Sequence, residues 1–341
     1  MTLSKSENIF LSKTKKLVDN LQNENKYPIK YKMPVALQFE LTANCNMRCV
    51  HCYNRSGDVD KKTLMKLNDW LNLSKHLIEN GGIFQCVISG GEPLLMGDGL
   101  YQIMDILASD NTAFVFITNG YLLDEKIVDR LKKYRFYWVQ ISIDGDVPEY
   151  HDTFRNKKGS WERAVIAATL IANAGIPLTI ASAVTPHNIG RMNEMAMLSY
   201  RMGASSILFG EVMLSGRASE NRDILLNTEQ KVLLKDNVEK IKKNMESKLI
   251  IEIGATDEYQ MHLTKIFPTE AVIIRPDGSV RLDCTVPFVI GNVLEKPFSD
   301  IWEEKSSDIW SHEEVVKYIR SVSSTGYNDS FVNHVNDDIR I

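Results

Sequence analysis

The sequence contains no apolar run near the roughly 20 residues that a membrane-spanning helix needs. Its opening stretch, MTLSKSENIF, lacks a signal peptide's apolar segment. A cytoplasmic protein without a membrane partner is therefore expected. An excess of positive charge is missing as well: 40 Lys and Arg stand against 44 Asp and Glu, a formal −4, which argues against nucleic acid as a partner. Cysteine is scarce, five in 341 residues, and a chain this long can bury a sufficient core without disulfides. No internal repeat is visible beyond an alternation of strand and helix signals.

Against that scarcity, three cysteines fall within eight residues. Cys45, Cys49 and Cys52 lie in FELTANCNMRCVHCYN, residues 39 to 54, at the end of an apolar run. In a reducing compartment such a triplet reads as a metal site or as reactive thiols. Three thiolates on one loop can hold three corners of an iron-sulfur cube and leave one iron open to a further ligand. From spacing alone, a zinc site completed by His51 or a distant residue, and chance clustering, remain alternatives.

The chain divides into three parts. Residues 1 to 34 are polar and basic and suit one helix. Residues 35 to 215 alternate apolar runs at 36–42, 84–90, 113–119, 138–144, 178–184 and 206–212 with amphipathic stretches. The runs are rich in Val, Ile and Phe without clean alternation, as strands buried on both faces of a parallel sheet are. Asn68, Asp124 and Ser160 are placed to cap three of the intervening helices. Six strand-helix units predict an α/β fold, a partial (β/α)6 TIM-type barrel, with a doubly wound open sheet as the alternative. Residues 216 to 341 form a small α+β extension: a helix near 228 to 243, a hairpin at Pro276-Asp277-Gly278, a helix bearing Phe298, Ile301 and Trp302, and a loosely held polar end.

The triplet resembles the signature of the radical S-adenosylmethionine (SAM) superfamily. The resemblance continues through ISGGEPLL (88 to 95), ISIDG (141 to 145) and HDTFRNKKGSWERA (151 to 164), a form similar to that of the peptide-modifying and SPASM-bearing branches. It implies that Cys45, Cys49 and Cys52 ligate one 4Fe-4S cluster and that SAM binds the open iron. Reductive cleavage of SAM then yields a 5'-deoxyadenosyl radical that abstracts hydrogen from a substrate. It implies further that Gly90, Gly91, Glu92 and Pro93 line the methionine end, that Ser142 and Asp144 serve the ribose and methionine groups, and that Arg155 pairs with the SAM carboxylate. His51 and Tyr53 would pack near the adenine, and Ser182, Asn188 and Val212 would complete the pocket. An external electron donor of flavodoxin or ferredoxin type is implied.

Cys86, inside a strand, reads as core. Cys284 follows IRPDGSVRLD, and that segment with IGNVLEKPFSDIW resembles the entry to a SPASM or twitch extension from which the other cluster cysteines are missing. One thiolate cannot hold a cube that normally takes four. Cys284 is therefore a packed remnant, a substrate contact, or a thiol that returns hydrogen to a substrate radical. Three functions are compatible with these residues: modification of a ribosomally made peptide by epimerisation or cross-linking, the same chemistry on a small metabolite, and a non-enzymatic zinc or cluster protein. The third leaves GGEP and SIDG unexplained.

Overall fold

The computed structural model describes residues 5–27, 31–58, 64–245, 248–254, 257–267, 271–305, 309–325 and 338–341. Strands β1 (Ala36–Glu40), β2 (Gln85–Ser89), β3 (Ala113–Thr118), β4 (Phe136–Ser142), β5 (Leu178–Val184), β6 (Ser206–Glu211) and β7 (Ile250–Ile253) lie side by side in chain order. Each neighbouring pair is parallel. An order without reversal is barrel-type winding, whereas a doubly wound sheet reverses at a switch point. The expected six strands are all present, and β7 adds a seventh.

On the other side of β1 the sheet continues. β8 (Ala271–Ile274) runs parallel to β1, and β9 (Ser279–Asp283) and β10 (Val286–Asn292) follow in antiparallel order. β11 (Ile339–Arg340) pairs with β10. One sheet of eleven strands among the described residues thus crosses the expected boundary near residue 215. The β8–β9 hairpin turns at Gly278, where φ is +84°, and the Asp277 carboxylate accepts the Ser279 N–H.

Helices cover the sheet because their apolar residues recur on one side. Leu67–Glu79 buries Trp70, Leu73 and Leu77, and Ser160–Asn173 buries Ala164, Ala167, Ala168 and Ile171. Asp124 caps Glu125–Leu131 as expected, accepting the Ile127 N–H. Two cap expectations are corrected. Lys66, not Asn68, is the extended residue before its helix, and Asp69 reaches back to the Lys66 N–H. Gly159, at φ +77°, precedes the helix that Ser160 opens. In both cases the cap falls to the residue whose backbone leaves the helical region.

Thr228–Asn244 and Phe298–Lys305 form the expected helices of the extension. Part of the polar carboxyl end lies outside the described residues, while residues 338–341 dock as β11 through a pairing of Asp338 with Arg275. No described helix is long and apolar enough to cross a membrane. Trp302 is buried beside Phe298, and its indole N–H donates to the Tyr31 carbonyl at 3.0 Å, tying the amino-terminal segment to the extension. Trp302→Ala is expected to cost about 3–5 kcal/mol of stability. Urea denaturation checks this, and a loss within 0.5 kcal/mol, roughly the range of surface substitutions, would make the contact dispensable.

Candidate active site

The loop after β1 carries the cysteine triplet and is gripped from several strand ends. At β2, the Gly91 N–H donates to the Thr42 carbonyl at 2.6 Å and the Glu92 N–H to the Asn44 carbonyl at 2.9 Å. A Cβ on Gly91 would stand 2.0 Å from the Asn44 oxygen. The two glycines are therefore required by the approach of the cysteine loop itself. Glu92 is buried, accepts from the Leu94 N–H, the Thr118 hydroxyl and the Asn119 N–H, and leads into the turn Pro93–Met96. Burial still pushes its pKa up to about 7.

From the end of β3, Asn119 donates to Asn46 Oδ1 at 2.8 Å and faces Cys45 Sγ at 3.9 Å. From the helix Pro148–Phe154, the Phe154 carbonyl accepts the Val50 N–H, and the Phe154 ring stacks on His51 with centroids 4.2 Å apart. Beyond β6, the Arg217 N–H donates to the Cys52 carbonyl at 2.9 Å and its Nε to the Cys49 carbonyl at 2.8 Å. Ser215 donates to the Tyr53 carbonyl, and a Cβ on Gly216 would meet the Cys52 oxygen at 2.3 Å. Asn119, Ser215, Gly216 and Arg217 escaped the sequence reading, although each follows a strand of the barrel, where such residues collect.

The three thiols act on one another electrostatically. Burial pushes Cys49 up to about 12 and raises Cys45, with the Arg155 charge opposing both shifts. Among the described residues no three His, Cys, Asp or Glu side chains converge on a single metal ion. A zinc ion would draw its sulfurs to roughly 2.3 Å around one centre, whereas a cube gives each thiolate its own iron. The donor set fits the cube, and the His51 ring is committed to Phe154. Its imidazole is buried, which depresses its pKa to about 4.

A second network is centred on Asp144, beyond the end of β4. Its carboxylate accepts Arg155 Nε at 2.7 Å and the Ala183 N–H at 2.9 Å, and its own N–H donates to His151 Nδ1. Asn188 donates to the carbonyls of Asp144 and Ala183. Burial would raise the Asp144 carboxyl, but Arg155 and the nearby imidazoles hold it below its ordinary range. Arg155 is 6% exposed, and its terminal nitrogens hydrogen-bond no other described group. In the same motif the Asp152 carboxylate accepts the Gly159 and Trp161 N–H groups and the Ser160 hydroxyl, fixing the start of the next helix.

The remaining expected residues divide between two walls. Ser142 ends β4, Ser182 is buried in β5, and Val212 packs beside the Phe154, Ala218 and Ile224 cluster. Tyr53 lies elsewhere: its hydroxyl donates to Glu40 Oε1 at 2.5 Å, and it interacts electrostatically with Cys284 in the β9–β10 turn. Cys284 is half-buried, its thiol 3.7 Å from the Asp283 carboxylate, while Cys86 is fully buried core.

Arg217→Ala removes the side-chain bonds to the Cys49 and Ser56 carbonyls and keeps the backbone bond to Cys52. It is expected to speed iron loss from the reconstituted protein to a chelator by about tenfold, the scale of lost outer contacts around a metal site. An unchanged rate would reduce Arg217 to its ion pair with Asp58.

Residues 39–198 match the radical SAM superfamily. The chain is 28% identical over 288 residues to the antilisterial bacteriocin subtilosin biosynthesis protein AlbA of Bacillus subtilis, covering 80% of this chain and 60% of that protein, so it spans under two thirds of that relative. It is 27% identical over 292 residues to the AdoMet-dependent heme synthase of Methanosarcina barkeri, covering 79% and 82%. It is 28% identical over 283 residues to the PqqA peptide cyclase of Rhizobium meliloti, covering 80% and 75%. In fold it is similar to Streptococcus suis SuiB bound to S-adenosylmethionine, with a TM-score of 0.67 at 14% identity over 90% of this chain and 73% of that one. Residues 39–198, which carry the cysteine loop and the Asp144 network, form a radical SAM domain, and the cofactors of that superfamily are a 4Fe-4S cluster and SAM.

Proposed function

We propose that this chain is a radical SAM enzyme that modifies a ribosomally made peptide, by epimerisation or cross-linking. The observation that carries the SAM chemistry is Arg155, a buried guanidinium oriented through Nε by Asp144, with its terminal nitrogens free of protein partners and its charge felt at Cys45 and Cys49. That is a fixed receptor for a carboxylate beside the cysteine triplet. The peptide reading draws on relatives named for peptide cyclisation and bacteriocin biosynthesis.

Cys45, Cys49 and Cys52 hold three irons of the cluster. When bound, cluster and SAM supply one-electron cleavage and a hydrogen-abstracting 5'-deoxyadenosyl radical, the electron coming from a donor of flavodoxin or ferredoxin type. Arg155 binds the methionine carboxylate, and the turn Gly90, Gly91, Glu92 and Pro93 borders the methionine end. Ser142, Asp144, Ser182 and Asn188 order the side of the pocket formed by β4 and β5, while His51, stacked on Phe154, and Val212 provide an apolar wall for the adenine. Tyr53 braces the loop through Glu40. Cys284, in the β9–β10 turn, returns a hydrogen atom to a substrate carbon radical, its thiyl taking one electron from the same external donor and a proton from water. A second reading, action on a small metabolite, is favoured by the heme synthase relative.

The protein reconstituted without oxygen is expected to bind about four irons per chain and, with dithionite and SAM, to release 5'-deoxyadenosine. Eight irons, or iron retained after all three loop cysteines become Ala, would overturn the single-cluster assignment. Arg155→Lys should weaken SAM binding about tenfold with iron content unchanged, because lysine cannot reproduce a bidentate fork. Unchanged affinity would remove Arg155 from the pocket. In deuterated water, Cys284→Ala should form the cluster and cleave SAM yet lose the solvent label from the product. A fully labelled product would leave Cys284 a packed remnant.

A further inference from the structure

A cavity of about 370 Å³ lies on the far wall from the Asp144 network, bounded by the cysteine loop on one side and by the β8–β9 turn, β10 and β11 on the other. Its volume is within the roughly 300–1,000 Å³ of ligand sites. Two of its acceptors lack donors and a third has only a distant one. Asn54, 8% exposed, presents a buried Oδ1 with no hydrogen bond. Asp338 Oδ1 is likewise buried without one, and Arg281 comes no nearer to it than 3.8 Å. Glu40, 2% exposed, has Oε1 taken by the Tyr53 hydroxyl, while Oε2 has only Arg275 Nε at 3.8 Å.

Unmet acceptors of this kind cost free energy until a donor enters. The lining carries the carboxylates of Glu40, Asp277, Glu295 and Asp338 against two arginines; Arg340 pairs with Glu295 at 2.5 Å and Arg275 with Asp338, and the buried Arg275 Nε stands 3.8 Å from Glu40, too far for a hydrogen bond. An anion would meet an acidic surround. A divalent metal is not favoured either, since no three of these carboxylates converge on one point. A primary ammonium group suits the cavity: three N–H donors, one positive charge, and no demand for close coordination. Burial raises the Asp338 carboxyl in spite of Arg281 and Arg275, with Asp277 adding to the rise.

We propose that this cavity anchors a primary ammonium group of the substrate, a lysine side chain or an amino terminus of the peptide, on Glu40, Asn54 and Asp338. The assignment of that ammonium to a peptide rests on the function proposed above. Because Asn54 and Ser56 belong to the cysteine loop and also line the cavity, an occupied site would brace the loop.

The test uses the full-length, anaerobically reconstituted protein with SAM, titrated calorimetrically with three probes. Nα-acetyl-lysine methylamide carries a side-chain ammonium, alanine methylamide an α-ammonium, and Nα-acetyl-norleucine methylamide is the neutral control. At least one ammonium probe is expected to bind saturably and about tenfold more tightly than the neutral one, as charge-assisted hydrogen bonds would give; which one binds separates lysine from amino terminus. Glu40→Gln should weaken that binding about tenfold and Asn54→Asp should tighten it severalfold, by removing and adding a charge. If Glu40→Gln does not fold, Asn54→Asp carries the test. Equal binding of charged and neutral probes, no binding, or affinities unmoved by Asn54→Asp would overturn the proposal and leave a water-filled cavity. SAM cleavage is measured on the same samples: cleavage without ammonium binding defeats this site alone, and ammonium binding without cleavage defeats the enzymatic reading alone.

Discussion

The structure depends on how closely the cysteine loop is drawn onto the ends of the parallel strands. Backbone oxygens of Thr42, Asn44, Cys49, Cys52 and Tyr53 each accept a hydrogen bond from a neighbouring strand end or the loop after β6. At Gly91 and Gly216 a Cβ would collide with those same oxygens. Three thiolates can share a cube only if the peptide between them holds its shape, and here the shape is imposed from outside the loop. The buried Glu92 belongs to the same scheme: its carboxylate gathers donors from its own turn and from the end of β3, locking the turn that supports Asn44.

Two buried charge systems flank this loop, and they differ in completeness. Around Asp144 both carboxylate oxygens accept hydrogen bonds, from Arg155 and the Ala183 N–H, and so orient Arg155, although His151 Nε2 is buried without a partner. Around Glu40 and Asp338 the Arg275–Asp338 pair is close, but the contacts to Glu40 Oε2 and Asp338 Oδ1 are long and acceptors remain without donors. A satisfied network is a scaffold. An unsatisfied one beside a cavity is a place where a ligand can supply what the protein has not.

The extension past residue 215 is built onto the barrel itself. β8, β9 and β10 continue the barrel's own sheet, and Phe298, Ile301 and Trp302 are buried there, so the segment is held by ordinary packing. Cys284 sits in the β9–β10 turn, close enough to interact with Tyr53 of the cysteine loop. The extension therefore forms one wall next to the loop, where Arg275 lies between Glu40 and Asp338.

Much was legible in the chain itself. The six apolar runs, the helices between them, the Pro276-Asp277-Gly278 turn and the Asp124 cap all depend on local hydrophobic periodicity and backbone preference, which sequence carries directly. The cysteine triplet was visible through its spacing, and the glycines after β2 and Arg155 through motifs that resemble the radical SAM superfamily. Other features were decided only in three dimensions. Lys66 and Gly159 displaced Asn68 and Ser160 as caps because local strand and loop exits set which residue leaves the helical backbone. The glycines after β2 admit the close approach of the chain's own loop, and the Tyr53 hydroxyl reaches Glu40, more than a dozen residues earlier. Arg217 and Asp338 carry no local signal at all: each matters through partners well over fifty residues distant. Such pairings arise when parallel winding brings successive strand ends to one side, a long-range consequence that no short window of sequence contains.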